Sequence, residues 1–271
     1  MGWSSQMVKK SNGWENLTFQ EKLKIYSKSL NETDAFYADK LRVKNFVNDL
    51  KIKNLNVVPN VKVLTKNDHL DLDDLPENCI IKSNNGCGDL IIIKNRKINY
   101  VSIRANELDP IKFNWQNWKQ YANRPHTTKS EHHYKYIKPE IYAEELLPNK
   151  PEDYKFFCFH GFVKFGHTDY GRFAEHTRNI YDRNGSLLPI TAIFGRHHFK
   201  NNNIELDKPK FLEMVKIADK LSSATKYEFI RVDLYNVNNQ VYFGELTFVP
   251  GGGDEHFQPS EFDKIAGKYW K

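Results

Sequence analysis

The chain has 271 residues, with 40 basic and 34 acidic side chains and a net charge of +6. A chain of that length buries roughly three quarters of its unfolded surface, so one compact unit of two or three subdomains is expected rather than a string of modules. The mild positive balance suits anionic ligands such as nucleotides or acidic glycans and is too small to demand nucleic acid. No apolar run approaches membrane-spanning length. Cys79, Cys87 and Cys158 are odd in number and lack CxxC spacing, which predicts reduced thiols and a cytoplasmic protein.

Thr18-Phe-Gln-Glu21 is a capping box that opens a helix reaching about Leu30. A second helix is predicted from about Asp34 to Leu50, with Phe36, Val43, Phe46, Val47 and Leu50 inward. Val57 to Leu64 reads as a strand interrupted by Pro59. Cys79-Ile-Ile-Lys82 is a short apolar strand, followed by the loop Ser83 to Asp89 and a second strand, Leu90 to Lys94. Gly86 and Gly88 allow that loop to fold over phosphates and offer backbone N–H groups, with Lys82 supplying charge. An ordinary hairpin turn is the plainer reading, because GxxxxGK[ST] and a following helix are missing.

Asn114 to Tyr121 reads as a helix, and His132-His133 lacks a third ligand at zinc spacing. In the strand Ile141 to Leu147, the adjacent Glu144 and Glu145 must point to opposite faces. In the strand Asp153 to Phe159, Lys155 shares a face with Phe157 and Phe159. Either an anion meets it there or the side chain snorkels to water. Arg172, His176 and Arg178 could hold an anionic substrate or form a solvated positive face. Asp207 caps a helix with Pro209 in its first turn.

Phe229 to Tyr235 and Val241 to Thr247 are rich in β-branched and aromatic residues and read as the arms of a hairpin. Alternation puts Arg231 and Asp233 on one face of the first arm, and Glu245 and Thr247 on one face of the second. A three-residue loop, Asn238 to Gln240, opposes Asp233 to Glu245 and Arg231 to Thr247, and asparagine tolerates the left-handed position it needs. A two-residue loop would put the acids on opposite faces. Opposed carboxylates repel unless a cation lies between them, and oxygen ligands beside an arginine suit Mg²⁺ carrying nucleotide phosphates. A solvated face with a cross-strand Arg–Glu pair is the alternative.

The order of these blocks resembles the ATP-grasp fold. Asp39-Lys-Leu-Arg-Val-Lys44 is similar to the DK-x-x-x-K helix of ATP-grasp ligases. Asp153-Tyr-Lys-Phe-Phe-Cys-Phe-His-Gly161, Arg231-Val-Asp-Leu-Tyr235 and Phe243-Gly-Glu-Leu-Thr-Phe-Val-Pro-Gly-Gly-Gly253 resemble the TupA-like branch, which is associated with teichuronopeptide and other surface-polysaccharide biosynthesis. The resemblance implies an α+β architecture of two subdomains clasping ATP, behind a reduced helical leading region. The corresponding divisions are residues 1–75, 76–143 and 144–271.

It further implies that Lys44 and Lys82 touch phosphates, that Gly86 to Gly88 cover the β- and γ-phosphates, and that Glu144 and Glu145 lie at the hinge for adenine and ribose. Asp233, Glu245 and Thr247 would hold Mg²⁺, with Thr247 standing where ATP-grasp proteins usually have asparagine. Lys155 would neutralise phosphate oxygens with Lys44 and Lys82, Arg231 would stabilise the transferring group and the tetrahedral intermediate, and Arg172 and Arg178 would bind the acid. The implied activity is a carboxylate–amine ligase using an acyl phosphate to join an amino acid to a uronic-acid carboxyl, alongside the glycosyltransferases of such a pathway. A kinase acting on a sugar hydroxyl and a non-catalytic ATP- or glycan-binding module are the alternatives. RNA binding lacks any RRM or KH motif.

Overall fold

The structure, a computed structural model, describes residues 10, 12–65, 69–104, 106–126, 130–148, 151–171 and 175–271. Contacts divide the chain into two compact units. The first holds residues 1–30, 47–56 and 150–271, and the second holds 31–46 and 57–149. Each combines helices with antiparallel sheet, as an α+β fold requires.

The leading helix of the first unit, α1 (Phe19–Ser29), starts at the expected capping box. Thr18 N–H donates to Glu21 Oε2 at 2.8 Å, and Glu21 N–H donates back to Thr18 Oγ1 at 3.3 Å. The predicted second helix is instead two, α2 (Glu32–Ala38) and α3 (Val43–Asp49). Asp39 causes the break: its carboxylate accepts from the N–H groups of Leu41 at 2.9 Å and Arg42 at 3.1 Å. An aspartate bonding backbone two and three residues ahead competes with helix and favours a fresh start. Phe36, expected inward, is exposed in consequence, while Val43 and Val47 are buried.

The second unit is built on a six-stranded sheet of β2 (Asn60–Leu64), β3 (Cys79–Ser83), β4 (Leu90–Lys94), β5 (Lys97–Ile103), β6 (Asn106–Leu108) and β7 (Ile141–Glu145). Its order is β2-β7-β3-β4-β5-β6. Strand β1 (Leu55–Val57) precedes β2, and Pro59 separates the two as predicted. Helix α4 (Trp115–Ala122) covers the sheet with Trp115 and Trp118 against Ile81, Ile91, Ile93 and Val101. Glu144 is buried on β7, and Glu145, on the opposite face at the strand's end, is exposed.

The first unit carries β8 (Glu152–Phe159), β9 (Phe162–Tyr170), β10 (Thr177–Asp182), β11 (Thr191–Phe194), β12 (His197–Phe199), β13 (Phe229–Val237), β14 (Gln240–Thr247) and β15 (Glu255–Gln258). Its large sheet runs β1-β14-β13-β8-β9-β10, and β12-β11-β15 form a small one. Helix α5 (Lys208–Thr225) is capped by Asp207, whose side chain accepts from Lys210 N–H. Helix α6 (Glu261–Tyr269) ends beside Trp270. Phe156, Phe159, Phe229 and Trp270 are wholly buried, and such aromatic residues dominate core energetics.

The β13–β14 hairpin has the predicted pairing for a different reason. Asp233 opposes Glu245 and Arg231 opposes Thr247, but the loop has two residues, because Val237 already pairs with Gln240. Asn238 and Asn239 take φ of 48° and 65°, the two left-handed positions of a primed turn. A bulge beyond Asp233 then restores the acids to one face, since Leu234 pairs with Phe243 and Gly244 is the extra residue. A Cβ on Gly244 would lie 2.9 Å from the Asp233 carbonyl oxygen. Gly244→Ala is therefore expected to lower stability by about 1–3 kcal/mol through crowding, measured by chemical denaturation against wild type.

Candidate active site

In the second unit, Glu144 gathers two lysines. Its Oε2 lies 2.5 Å from Lys44 Nζ, and its Oε1 accepts from Lys82. Lys44 also donates to Val58 O at 2.9 Å and Asn60 Oδ1 at 2.5 Å. The break at Asp39 is what aims Lys44, because it sets where α3 begins. Burial opposes ionisation of Glu144, but Lys82 and Lys44 outweigh it and hold the carboxyl below its ordinary value. Burial likewise lowers the Lys44 ammonium, with Glu144 partly restoring it.

Removing the Glu144 charge leaves two neighbouring ammonium groups without their counter-ion. Glu144→Gln should cost about 3 kcal/mol, the scale for breaking one side of a buried pair. Inorganic tripolyphosphate should raise the melting temperature of this variant more than that of wild type. A carboxyl depressed in the fold stabilises above its ordinary value of 4.5 and loses that contribution as pH falls through its lower folded value. The variant should lack that acid-side loss, which denaturation curves across acid pH would show.

The glycine loop lies at the end of β3. Gly86 and Gly88 take φ of 70° and 82°, positions that glycine adopts without penalty. Lys40 donates to the Gly86 carbonyl, and Ser102 Oγ donates to Gly88 O at 2.8 Å. A Cβ on Gly86 would meet His126 Nδ1 at 2.5 Å, so the loop is seated directly on that ring.

On the large sheet of the first unit, charged and titratable residues form rows across the strands. Glu245, Asp233, Lys155 and His167 are successive partners on β14, β13, β8 and β9. A second row is Asp153, Asp169 and Arg178 on β8, β9 and β10. Lys155, which alternation places among aromatic residues, meets its anions here: it pairs with Asp153 and lies 3.6 Å from both Asp169 and Asp233. Arg231 donates to both Asp233 oxygens, at 2.7 and 2.6 Å, and to Thr247 Oγ1 at 3.1 Å. Its contact with Glu245 is longer, 3.5 Å, and Glu245 keeps 30% of its side chain exposed.

Asp233 is raised to about 6 because burial outweighs Arg231 and Lys155, and Glu245 adds repulsion. Such a carboxylate is short of positive charge. Oxygen donors on Asp233, Glu245 and Thr247 fit Mg²⁺, which binds through one or two carboxylates plus substrate phosphates rather than an all-protein cage. Among the described residues, no group of three or more His, Cys, Asp or Glu forms such a cage.

Arg178 is occupied: Nε donates to Asp169 Oδ1 at 2.6 Å and Nη1 to Glu255 Oε2 at 2.8 Å. Arg172 lies outside the described residues. Sequence reasoning overlooked Asp169, His167 and Glu255. The available signal was a histidine and an aspartate two apart in the otherwise well-buried strand Phe162 to Tyr170. No helix among the described residues is long and apolar enough to cross a membrane.

Among solved structures, the D-alanine–D-alanine ligase of Bacillus anthracis complexed with ATP is 14% identical, with a TM-score of 0.44 over 81% of this chain and 58% of that one. D-alanyl-alanine synthetase A of Vibrio cholerae is 12% identical, with a TM-score of 0.47 over 87% and 61%. N5-carboxyaminoimidazole synthetase of Staphylococcus aureus complexed with ADP is 15% identical, with a TM-score of 0.43 over 94% and 57%. The chain thus spans less than two thirds of each of these proteins. No curated protein matches it in sequence. Residues 16–271 match the family described as TupA-like ATPgrasp, and the chain belongs to that family.

Proposed function

We propose that the protein is an ATP-dependent carboxylate–amine ligase that works through an acyl phosphate. The observation that carries this reading is the Asp233–Glu245 pair, opposed on one sheet face with Arg231 bonded into it. A substrate carboxylate attacks the γ-phosphoryl group, ADP leaves, and an amine displaces phosphate to form the amide. Such transfer needs positioning and charge neutralisation more than covalent chemistry from the protein.

In this reading Lys44 and Lys82 exchange their shared Glu144 for phosphate oxygens, under the backbone N–H groups of the Gly86 to Gly88 loop. Glu145, exposed at the end of β7, contacts the nucleoside. Asp233, Glu245 and Thr247 hold Mg²⁺, which supplies charge neutralisation at the phosphates when bound. Arg231 stabilises the transferring group, and Lys155 sets the charge of the aspartates around it. Arg172 and Arg178 are assigned to the acid, with Arg178 held by Asp169 and Glu255.

The substrates proposed are a uronic-acid carboxyl of a surface polysaccharide or its precursor and an amino acid, joined in the cytoplasm. The test is a screen of uronic acids against amino acids, following ADP release and product mass. With hydroxylamine as the amine, an acyl phosphate yields a hydroxamate. A phosphorylated sugar without hydroxamate would replace the ligase reading by a kinase.

A further inference from the structure

We propose that His176, beside Asp169, is the base that deprotonates the attacking amine. This rests on the ligase reading, in which the amine arrives as an ammonium ion and must lose a proton before its lone pair can attack.

Geometry selects His176 from the charged face. His167 is 2% exposed and sealed from substrate. Lys155 is held by three aspartates, and Arg178 by Asp169 and Glu255. His176 keeps 20% of its side chain exposed, and its buried Nε2 lies 3.2 Å from Asp169 Oδ1, close in charge but out of hydrogen-bond alignment. Its ring meets Phe199 edge-on at 4.8 Å and lies 5.7 Å from the His197 ring, which restricts its orientation.

Asp169 is fixed in turn by Arg178 and Lys155, and Lys155 lies equally far, 3.6 Å, from Asp233. One cation therefore separates the dyad from a carboxylate assigned to the phosphate chemistry. The charged and titratable groups around His176 are Asp169 on β9, Arg178 on β10, His197 on β12, and Glu255 on β15 behind Arg178. An aspartate facing Nε2 favours the proton there and leaves the lone pair on Nδ1.

In the step, His176 Nδ1 takes one proton from the ammonium and passes it to solvent. The freed nitrogen lone pair forms the C–N bond to the acyl carbon. The C–O bond to phosphate breaks with its electron pair on the phosphate oxygen, and the second amine proton ends on phosphate.

The test compares wild type with His176→Gln, using the acid and amine found in the screen, and hydroxylamine in parallel. Amide formation by the variant should fall about 100-fold or more at neutral pH. It should recover as pH rises and the free amine accumulates. Hydroxylamine is largely unprotonated at neutral pH, so hydroxamate formation and ADP release should stay near wild type. Nitrogen NMR of the resting protein should show His176 as the Nε2–H tautomer.

Equal loss of amide and hydroxamate, undiminished amide formation, or an Nδ1–H tautomer would each overturn the proposal. Wild-type protein that forms neither ADP nor hydroxamate with any acid would overturn the ligase reading, and the base role with it.

Discussion

Glu245→Gln is expected to lower ADP release about a thousandfold, the upper scale for losing one preorganised electrostatic contact in the transition state. The fold should barely notice. Glu245 lies 3.5 Å from Arg231 and 3.4 Å from Thr247 Oγ1, and its side chain is 30% exposed. Substitutions at such positions shift stability within about 0.5 kcal/mol. Glutamine keeps the size and one oxygen, so what disappears is the negative charge opposite Asp233. Steady-state ADP release and thermal melting on the same preparations separate the two effects. A variant that melts like wild type and turns over like wild type would remove Glu245 from the machinery.

The sequence shows Lys155 as a charge on an apolar face, Asp233 and Glu245 through the register of a hairpin, and Lys82 as the end of a strand before a glycine loop, whereas Lys44 is marked by the resemblance of its helix alone. The ATP-grasp architecture was legible from the order of those positions along the chain. What surrounds them was not. Lys155 invites an anionic partner by its place among phenylalanines, but Asp169 and Asp233 reach it from β9 and β13, whose pairing with β8 no local pattern reports. The Asp169–Arg178–Glu255 chain spans three strands in two sheets and was hidden for the same reason.

Two local readings failed for stereochemical causes. The helix predicted through Asp39 breaks because that side chain satisfies backbone N–H groups ahead of it. The hairpin register came out as predicted although its loop did not, because a bulge at Gly244 compensates a turn one residue shorter. Bulges re-aim side chains near functional sites, and here the bulge is what sets the two acids on one face.

Arg231→Met is the second large effect, and it falls on stability as well as on turnover. Arg231 is 8% exposed and Asp233 2% exposed, so the pair is shielded from water. The apolar replacement leaves Asp233 with Lys155 at 3.6 Å in place of two close guanidinium bonds. Stripping one partner from a buried pair costs about 3–5 kcal/mol, whereas replacing both with packed apolar groups is often neutral. The double variant Arg231→Met, Asp233→Leu should therefore regain most of the stability lost by the single one, measured by chemical denaturation at neutral pH, while remaining inactive. Recovery of stability without activity would show that these charges are kept for phosphate and metal chemistry and are dispensable for folding. If the single variant unfolds at the same denaturant concentration as wild type, the buried pair does not hold the fold as its geometry describes.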